Sequence, residues 1–205
     1  MDTRFTYWKI ERSQARWNCI VDTPENRQQA LNDKAMFFTW AQLSEPYQNN
    51  GHEPHRWGDL PLDFDSEGNV ETALREMQVL CLDHLPKQYG INPQELQFWI
   101  SGGKGFHAVI PAHLLGAEQG DPHLPLVYRE MVSKWKKGLS LSSLDMSLYC
   151  MKRGKMFRIE NVRRSNGWYK VRLTLEEIIK GRTDDLLQLS TAPRILETLH
   201  GTTTR

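Results

Sequence analysis

The 205-residue chain sets 26 lysines and arginines against 25 aspartates and glutamates, a formal net charge of +1, with 39% hydrophobic and 25% charged residues. That composition is ordinary for a globular protein of one domain or at most two small lobes, and it excludes a disulfide-stapled scaffold, since Cys19, Cys81 and Cys150 are isolated and fit a reducing compartment. No run of about 18 apolar residues is present, and Met1-Asp2-Thr3-Arg4-Phe5 lacks a secretory apolar core, so no membrane partner is expected and the location expected is cytoplasmic.

Arg4 to Ile10 reads as a strand, and Pro24 to Lys34 as a polar helix capped by Thr23 with Pro24 in its first turn. Ala35 to Trp40 is a second apolar run of strand type, and the segment Ser44 to Arg56, rich in Pro, Asn, Gly and His, is a loop. His52 and His55 have HxxH spacing there, but without cysteine partners they read as exposed residues rather than zinc ligands.

Leu60-Pro61-Leu62-Asp63-Phe64-Asp65-Ser66-Glu67 follows. On a strand, residues two apart share a face, so Asp63 and Asp65 point the same way. Val70 to Tyr89 has helical periodicity through Ala73, Leu74, Met77, Leu80, Cys81 and Leu85, with Pro86 near its end. Cys81 and His84 on this helix read as scaffold.

Leu96 to Ile100 and Phe106 to Ile110 are two strands joined by a glycine-rich turn, Ser101-Gly102-Gly103-Lys104-Gly105-Phe106-His107. The glycines allow close approach of the backbone to a ligand, while Ser101, Lys104 and His107 supply a hydroxyl, a cation and an imidazole, a set that suits phosphate. A carboxylate pair that binds a cation, beside a phosphate cradle, is a nucleotide-handling arrangement.

Leu124 to Lys137 reads as an amphipathic helix with Val127, Met131 and Trp135 inward. Ser143-Leu144-Asp145 supplies a third apolar-flanked acid. Behind it lies a basic stripe of Lys152, Arg153, Lys155, Arg158, Arg163, Arg164, Lys170 and Arg172, opposed only by Glu160, the electrostatic footprint of a phosphate backbone or triphosphate. Met156 to Ile159 and Trp168 to Leu173 read as the last strands, and short helices near Leu175 to Lys180 and Asp184 to Leu189 close the domain. Helices alternate irregularly with hairpins, which predicts an α+β fold on an antiparallel or mixed sheet.

Taken together, "PLDFDSE", "SGGKGFH" and "SLD" with its arginine strand and "GWYKV" resemble, in order and spacing over roughly residues 36 to 194, the catalytic domain of the archaeo-eukaryotic primase superfamily, especially primase-polymerases of plasmids, phages and integrated elements. The resemblance implies an RNA-recognition-motif-like sheet core with an N-terminal α/β extension, a catalytic domain over 1–195 and a tail or linker over 196–205. It implies two Mg²⁺ or Mn²⁺ ions on Asp63, Asp65 and Asp145, with His107 near the incoming phosphates. Ser101, Gly102, Gly103, Lys104, Gly105, Arg158 and Lys170 would bind the nucleotide, and Lys152, Arg153, Arg163 and Arg164 the nucleic acid. Many relatives carry a zinc knuckle, and no CxxC pair stands here, so no zinc is expected.

The implied activity is template-dependent nucleotidyl transfer, by a primase or primase-polymerase acting on single-stranded DNA with NTP or dNTP substrates. A helicase domain or protein is a candidate partner. Two rivals use the same residues: a metal-dependent phosphodiesterase that activates water, and a replication-initiator or nucleic-acid-binding module without polymerase chemistry.

Overall fold

The structure is a computed structural model that describes residues 3–11 and 15–196. The tail expected over 196–205 lies outside the described residues except for Leu196.

Two antiparallel sheets organise the chain. The first contains β1 (Phe5–Lys9), β2 (Asn18–Val21), β3 (Phe37–Thr39), β4 (Gln42–Leu43), β5 (Arg56–Trp57) and β9 (Met156–Arg158), in the order β5-β4-β1-β3-β9 with β2 paired to β1. The second contains β6 (Leu60–Asp65), β7 (Gln97–Ile100), β8 (Gly105–Ile110) and β10 (Val171–Leu173), in the order β10-β7-β8-β6. Every strand pairing among the described residues is antiparallel, as expected for an α+β fold.

Six α-helices are described: α1 (Pro24–Asn32), α2 (Val70–Gln78), α3 (Leu85–Tyr89), α4 (Leu124–Gly138), α5 (Leu175–Lys180) and α6 (Thr183–Leu189). Helix α1 starts as its sequence dictates, with the Thr23 hydroxyl accepting from the Asn26 N–H and Pro24 in the first turn. The second sheet buries one face completely. Leu60, Leu62, Phe64, Phe106, Ala108, Ile110, Ile100 and Val171 are wholly inaccessible, and their core includes Met77 of α2, Val132 of α4, Ile178 of α5 and Leu186 of α6. At roughly 1.5–3 kcal/mol for each large apolar side chain, this core is what holds the polar face of the same sheet in register.

Three sequence expectations are corrected. The segment 70–89 is helical throughout but not uniformly α: Val79–His84 widens into a π turn, with Leu85 N–H donating to the Leu80 carbonyl. Pro86 has no N–H and would crowd a carbonyl one turn back, and the wider turn relieves both. Helix α4 turns Leu124, Tyr128, Val132 and Trp135 inward, while Val127 is exposed and Met131 only half-buried. The Tyr128 hydroxyl on that inward face donates to Gly58 O at 2.9 Å. Trp168 follows a tight turn closed by Gly167 N–H to Arg164 O at 2.9 Å and accepts at its carbonyl from Arg164 N–H at 2.8 Å, and the strand begins only at Val171.

Candidate active site

Strand β6 divides its residues by parity: Leu62 and Phe64 enter the core, and Asp63 and Asp65 lie on the opposite face. The free edge of β6 receives a short extended segment, in which Asp65 N–H donates to Ser143 O and Asp145 N–H donates to Asp63 O, both at 2.8 Å, around a Phe64–Leu144 bridge. Antiparallel register therefore sets Asp145 opposite Asp63 on the same face.

Two groups that sequence reasoning missed hold this third acid in place. Glu76 on α2 is buried, and its carboxylate accepts from the N–H and hydroxyl of both Ser142 and Ser143, at 2.7 to 3.0 Å. Burial pushes its carboxyl up, but the hydrogen bonds from Ser143 and Ser142 outweigh that and hold it below its usual value. Tyr149, also buried, donates its hydroxyl to Pro61 O at 2.6 Å and ties the chain after Asp145 to the start of β6. The sequence signal for Glu76 was a charged residue inside the apolar stripe of an amphipathic helix.

The hairpin of β7 and β8 faces the acids. Register pairs His107 with Asp63 and Gly105 with Asp65. A side chain at Gly105 would meet Phe64 O at 2.0 Å, and one at Gly102, where φ is +79°, would meet Tyr169 O at 2.5 Å. These two glycines are thus demanded by backbone packing of the hairpin itself.

Asp63, Asp65, Ser101, Lys104, His107 and Arg158 line one cavity of about 70 Å³, together with Arg164. His107 Nε2 lies 3.2 Å from Asp63 Oδ1, and its ring stacks on Phe157 with centroids 4.6 Å apart. Burial and the neighbouring Lys170 lower the His107 pKa against the pull of Asp63, favouring the neutral ring. A neutral ring that donates Nε2–H to Asp63 presents Nδ1 as an acceptor, and Nδ1 is buried without a hydrogen-bond partner.

Lys104 Nζ spans Glu67 at 3.2 Å and Asp65 at 3.3 Å, and these carboxylates raise its pKa, Glu67 most. Asp145 caps the following turn, accepting from Ser147 N–H at 2.8 Å and Ser147 Oγ at 2.7 Å, and Lys155 Nζ reaches the same hydroxyl at 3.0 Å.

Among the described residues, no three His, Cys, Asp or Glu side chains are gathered as a ligand set. Each acid is turned to a local partner. The donor chemistry nevertheless fits a hard divalent ion: three carboxylates share one face, and Asp65 Oδ1 is buried without a hydrogen-bond partner, which a cation would satisfy.

The basic stripe does not stay together. Lys152 is exposed at a positive φ of 67°, and Arg153 lies over the rings of Trp17 and Tyr7, at 5.9 and 6.0 Å. Arg158 stacks over Phe37 at 4.6 Å at the cavity mouth. Arg163 is exposed, whereas Arg164 donates to Ser101 O at 3.0 Å and Gly102 O at 2.6 Å, which places it on the hairpin rather than beside Arg163.

Lys170 is buried, donates to Arg158 O at 3.1 Å, and sits 4.0 Å from the Phe157 ring centre and 4.5 Å from that of Trp99. Burial lowers its pKa to about 7, against Glu160 and Asp63. It stands behind His107 and is absent from the lining of the hairpin cavity. Elsewhere, His52 and His55 make separate contacts, with Glu45 and the Gln119 carbonyl.

No protein-family model matches the chain, and no curated protein matches it in sequence. Among solved structures, it is similar to the AEP domain of the cyanophage S-2L primase-polymerase (PrimPol), with a TM-score of 0.47 and 14% identity over 94% of this chain and 89% of that one.

Proposed function

We propose that the protein is a template-dependent nucleotidyltransferase of primase-polymerase type, which joins a 3′-hydroxyl to the α-phosphate of an NTP or dNTP and releases pyrophosphate. The observation that carries this reading is the shared face of Asp63, Asp65 and Asp145 opposite a hairpin that offers Ser101, Lys104 and His107 to one cavity. Asp63, Asp65 and Asp145 would hold Mg²⁺ or Mn²⁺, which when bound lowers the pKa of an attacking hydroxyl and stabilises charge on the leaving oxygen.

The remaining roles belong to the chain. Ser101 and Lys104 bind the triphosphate, and Arg158 and Arg164 at the cavity wall take up negative charge that develops on it. His107 accepts one hydrogen bond at Nδ1 while Asp63 fixes its orientation through Nε2. The single-stranded DNA template, the RNA-recognition-motif-like reading of the second sheet and a helicase partner belong to the same proposal. The β-α-β-β-α-β succession of β6, α2, β7, β8, α4 and the extended segment at Leu144, which bridges to the free edge of β6, supports the sheet reading.

The test is incubation with a single-stranded template, Mg²⁺ or Mn²⁺ and labelled NTPs or dNTPs, with and without primer. Template-directed products are expected. Strand shortening without a demand for triphosphate would assign a phosphodiesterase, and binding without any product would assign an inert binding module.

A further inference from the structure

Strand register carries the row of site residues beyond His107. Asp63 pairs with His107, His107 with Trp99 and Trp99 with Arg172, so the four lie on one face in a line across β6, β8, β7 and β10. Arg172 is about 14 Å from Asp63 by three strand spacings.

Beyond the His107–Phe157 stack this face opens into a cleft of about 460 Å³, whose walls include Trp40, Trp99, Lys170 and Arg172. Phe157 and Arg158 line both the cleft and the hairpin cavity. At the other end Arg27, Trp40 and Asp59 are shared with a second groove, of about 420 Å³, that contains Arg4 and Trp57. Three hollows with shared walls thus form one track leading away from the carboxylates.

The wall chemistry selects the occupant. Cations lie on aromatic rings along the track: Arg172 over Trp99 at 5.8 Å, Arg27 over Phe38 at 4.9 Å and Arg4 over Trp57 at 4.4 Å. Two of the three acids in the walls are occupied, Glu160 accepting from the Trp99 indole N–H and Asp59 from Ala112 N–H, and the third, Glu118, lies in the second groove. Arg27 is paired with Asp22. Among the described residues, the Arg172 guanidinium has no ion pair or hydrogen bond, only its contact with the Trp99 ring. Aromatic faces backed by cations in a continuous groove are the chemistry of sequence-tolerant single-strand binding, in which bases stack and phosphates are neutralised.

We propose that this track, from Arg172 and Trp99 past Trp40 to Arg4 and Trp57, holds the single-stranded template, in place of the stripe Lys152, Arg153 and Arg163. The identification of the strand as template rests on the nucleotidyl-transfer reading, whereas strand binding itself does not.

The experiment measures anisotropy of a short fluorescein-labelled oligodeoxythymidylate against salt, without divalent ion or triphosphate. Arg172→Ala is expected to weaken binding about tenfold at low salt and to make the log–log salt slope shallower by about 0.7. Arg172→Lys should restore the slope, and Arg163→Ala should leave affinity nearly unchanged. Ultraviolet cross-linking of the wild-type protein to the same oligomer carrying 5-iododeoxyuridine should mark Trp99, Trp40 or Trp57, which keeps the test open should the variant fold poorly. Adducts confined to residues 152–169, or Arg172→Ala binding like the wild type, would overturn the track. Equal competition by dTTP would also overturn it, as a mononucleotide pocket. Loss of incorporation with Arg172-dependent strand binding intact would refute the transferase reading alone.

Discussion

The acidic edge of β6 and the basic stripe from Lys152 to Arg172 behave in opposite ways. Asp63 and Asp145 are far apart in sequence, yet one backbone hydrogen bond of 2.8 Å joins them, and the sheet register turns both to one face. The cations are near neighbours in sequence and disperse: Arg153 to an aromatic cluster at Tyr7 and Trp17, Arg164 to the hairpin carbonyls, Lys170 into the interior and Arg172 to the far edge of the sheet. Strand pairing gathers distant residues into a site, whereas a charge run on turns and short strands is scattered by every change of backbone direction. A cluster in sequence is therefore weaker evidence for a shared surface than three acids placed on paired strands.

The sharpest way to break this contrast is at the acids. Asp63→Ala or Asp65→Ala should lower nucleotide incorporation by about three orders of magnitude or more while leaving the fold intact, as read by product formation and thermal unfolding. Robust synthesis by the double variant would remove the shared-face reading. Asp145→Ala should also lose incorporation, with a small stability cost from the lost cap on Ser147.

Glu76 offers a second break, since it holds the acidic edge without belonging to it. Glu76→Gln leaves donors of Ser142 and Ser143 unpaired and should cost about 2–3 kcal/mol in urea unfolding near neutral pH. Its carboxyl is depressed in the folded state, so its contribution is present above the unfolded value of about 4.3 and is lost as pH falls through the folded one. The gap between wild type and variant should narrow under acid conditions, and a constant gap would mean that the carboxylate charge is not what Ser142 and Ser143 bind.

Much of the second sheet was legible because its signals are local. Alternation in Leu60–Asp65 and Gly105–Ile110, and a glycine turn between two apolar runs, each report on a few adjacent residues, and the structure forms those elements where expected. The parts that were not legible depend on partners distant in sequence. Glu76 reads as a misplaced charge until Ser142 and Ser143 meet it, and Lys170 reads as one more surface cation until Trp99 and Phe157 close over it. Val127 fits the periodicity of α4 as well as Tyr128 does, and the burial of Leu124, Val132 and Trp135 with the tyrosine's bond to Gly58 O decides the rotation. The glycines of the hairpin were seen, but at Gly102 and Gly105 the close backbones of Tyr169 and Phe64, which the sequence does not show, also require them.

Arg163 and Arg164 give the finest resolution of the contrast, because adjacent cations of identical chemistry are assigned to different surfaces. Arg164 is part-buried and holds two hairpin carbonyls, so Arg164→Ala should raise the apparent KM for triphosphate about tenfold, consistent with two charge-assisted hydrogen bonds, with little change in single-strand affinity. Arg163 is exposed, with its guanidinium near Gly167 and away from the hairpin cavity, so Arg163→Ala should leave incorporation unchanged. If the stripe touches a strand at all, the same change makes the salt slope shallower by no more than about 0.7. Equal effects of the two substitutions on KM and on salt slope would show that the stripe acts as one surface after all, and the dispersal seen in the backbone would then have no functional counterpart.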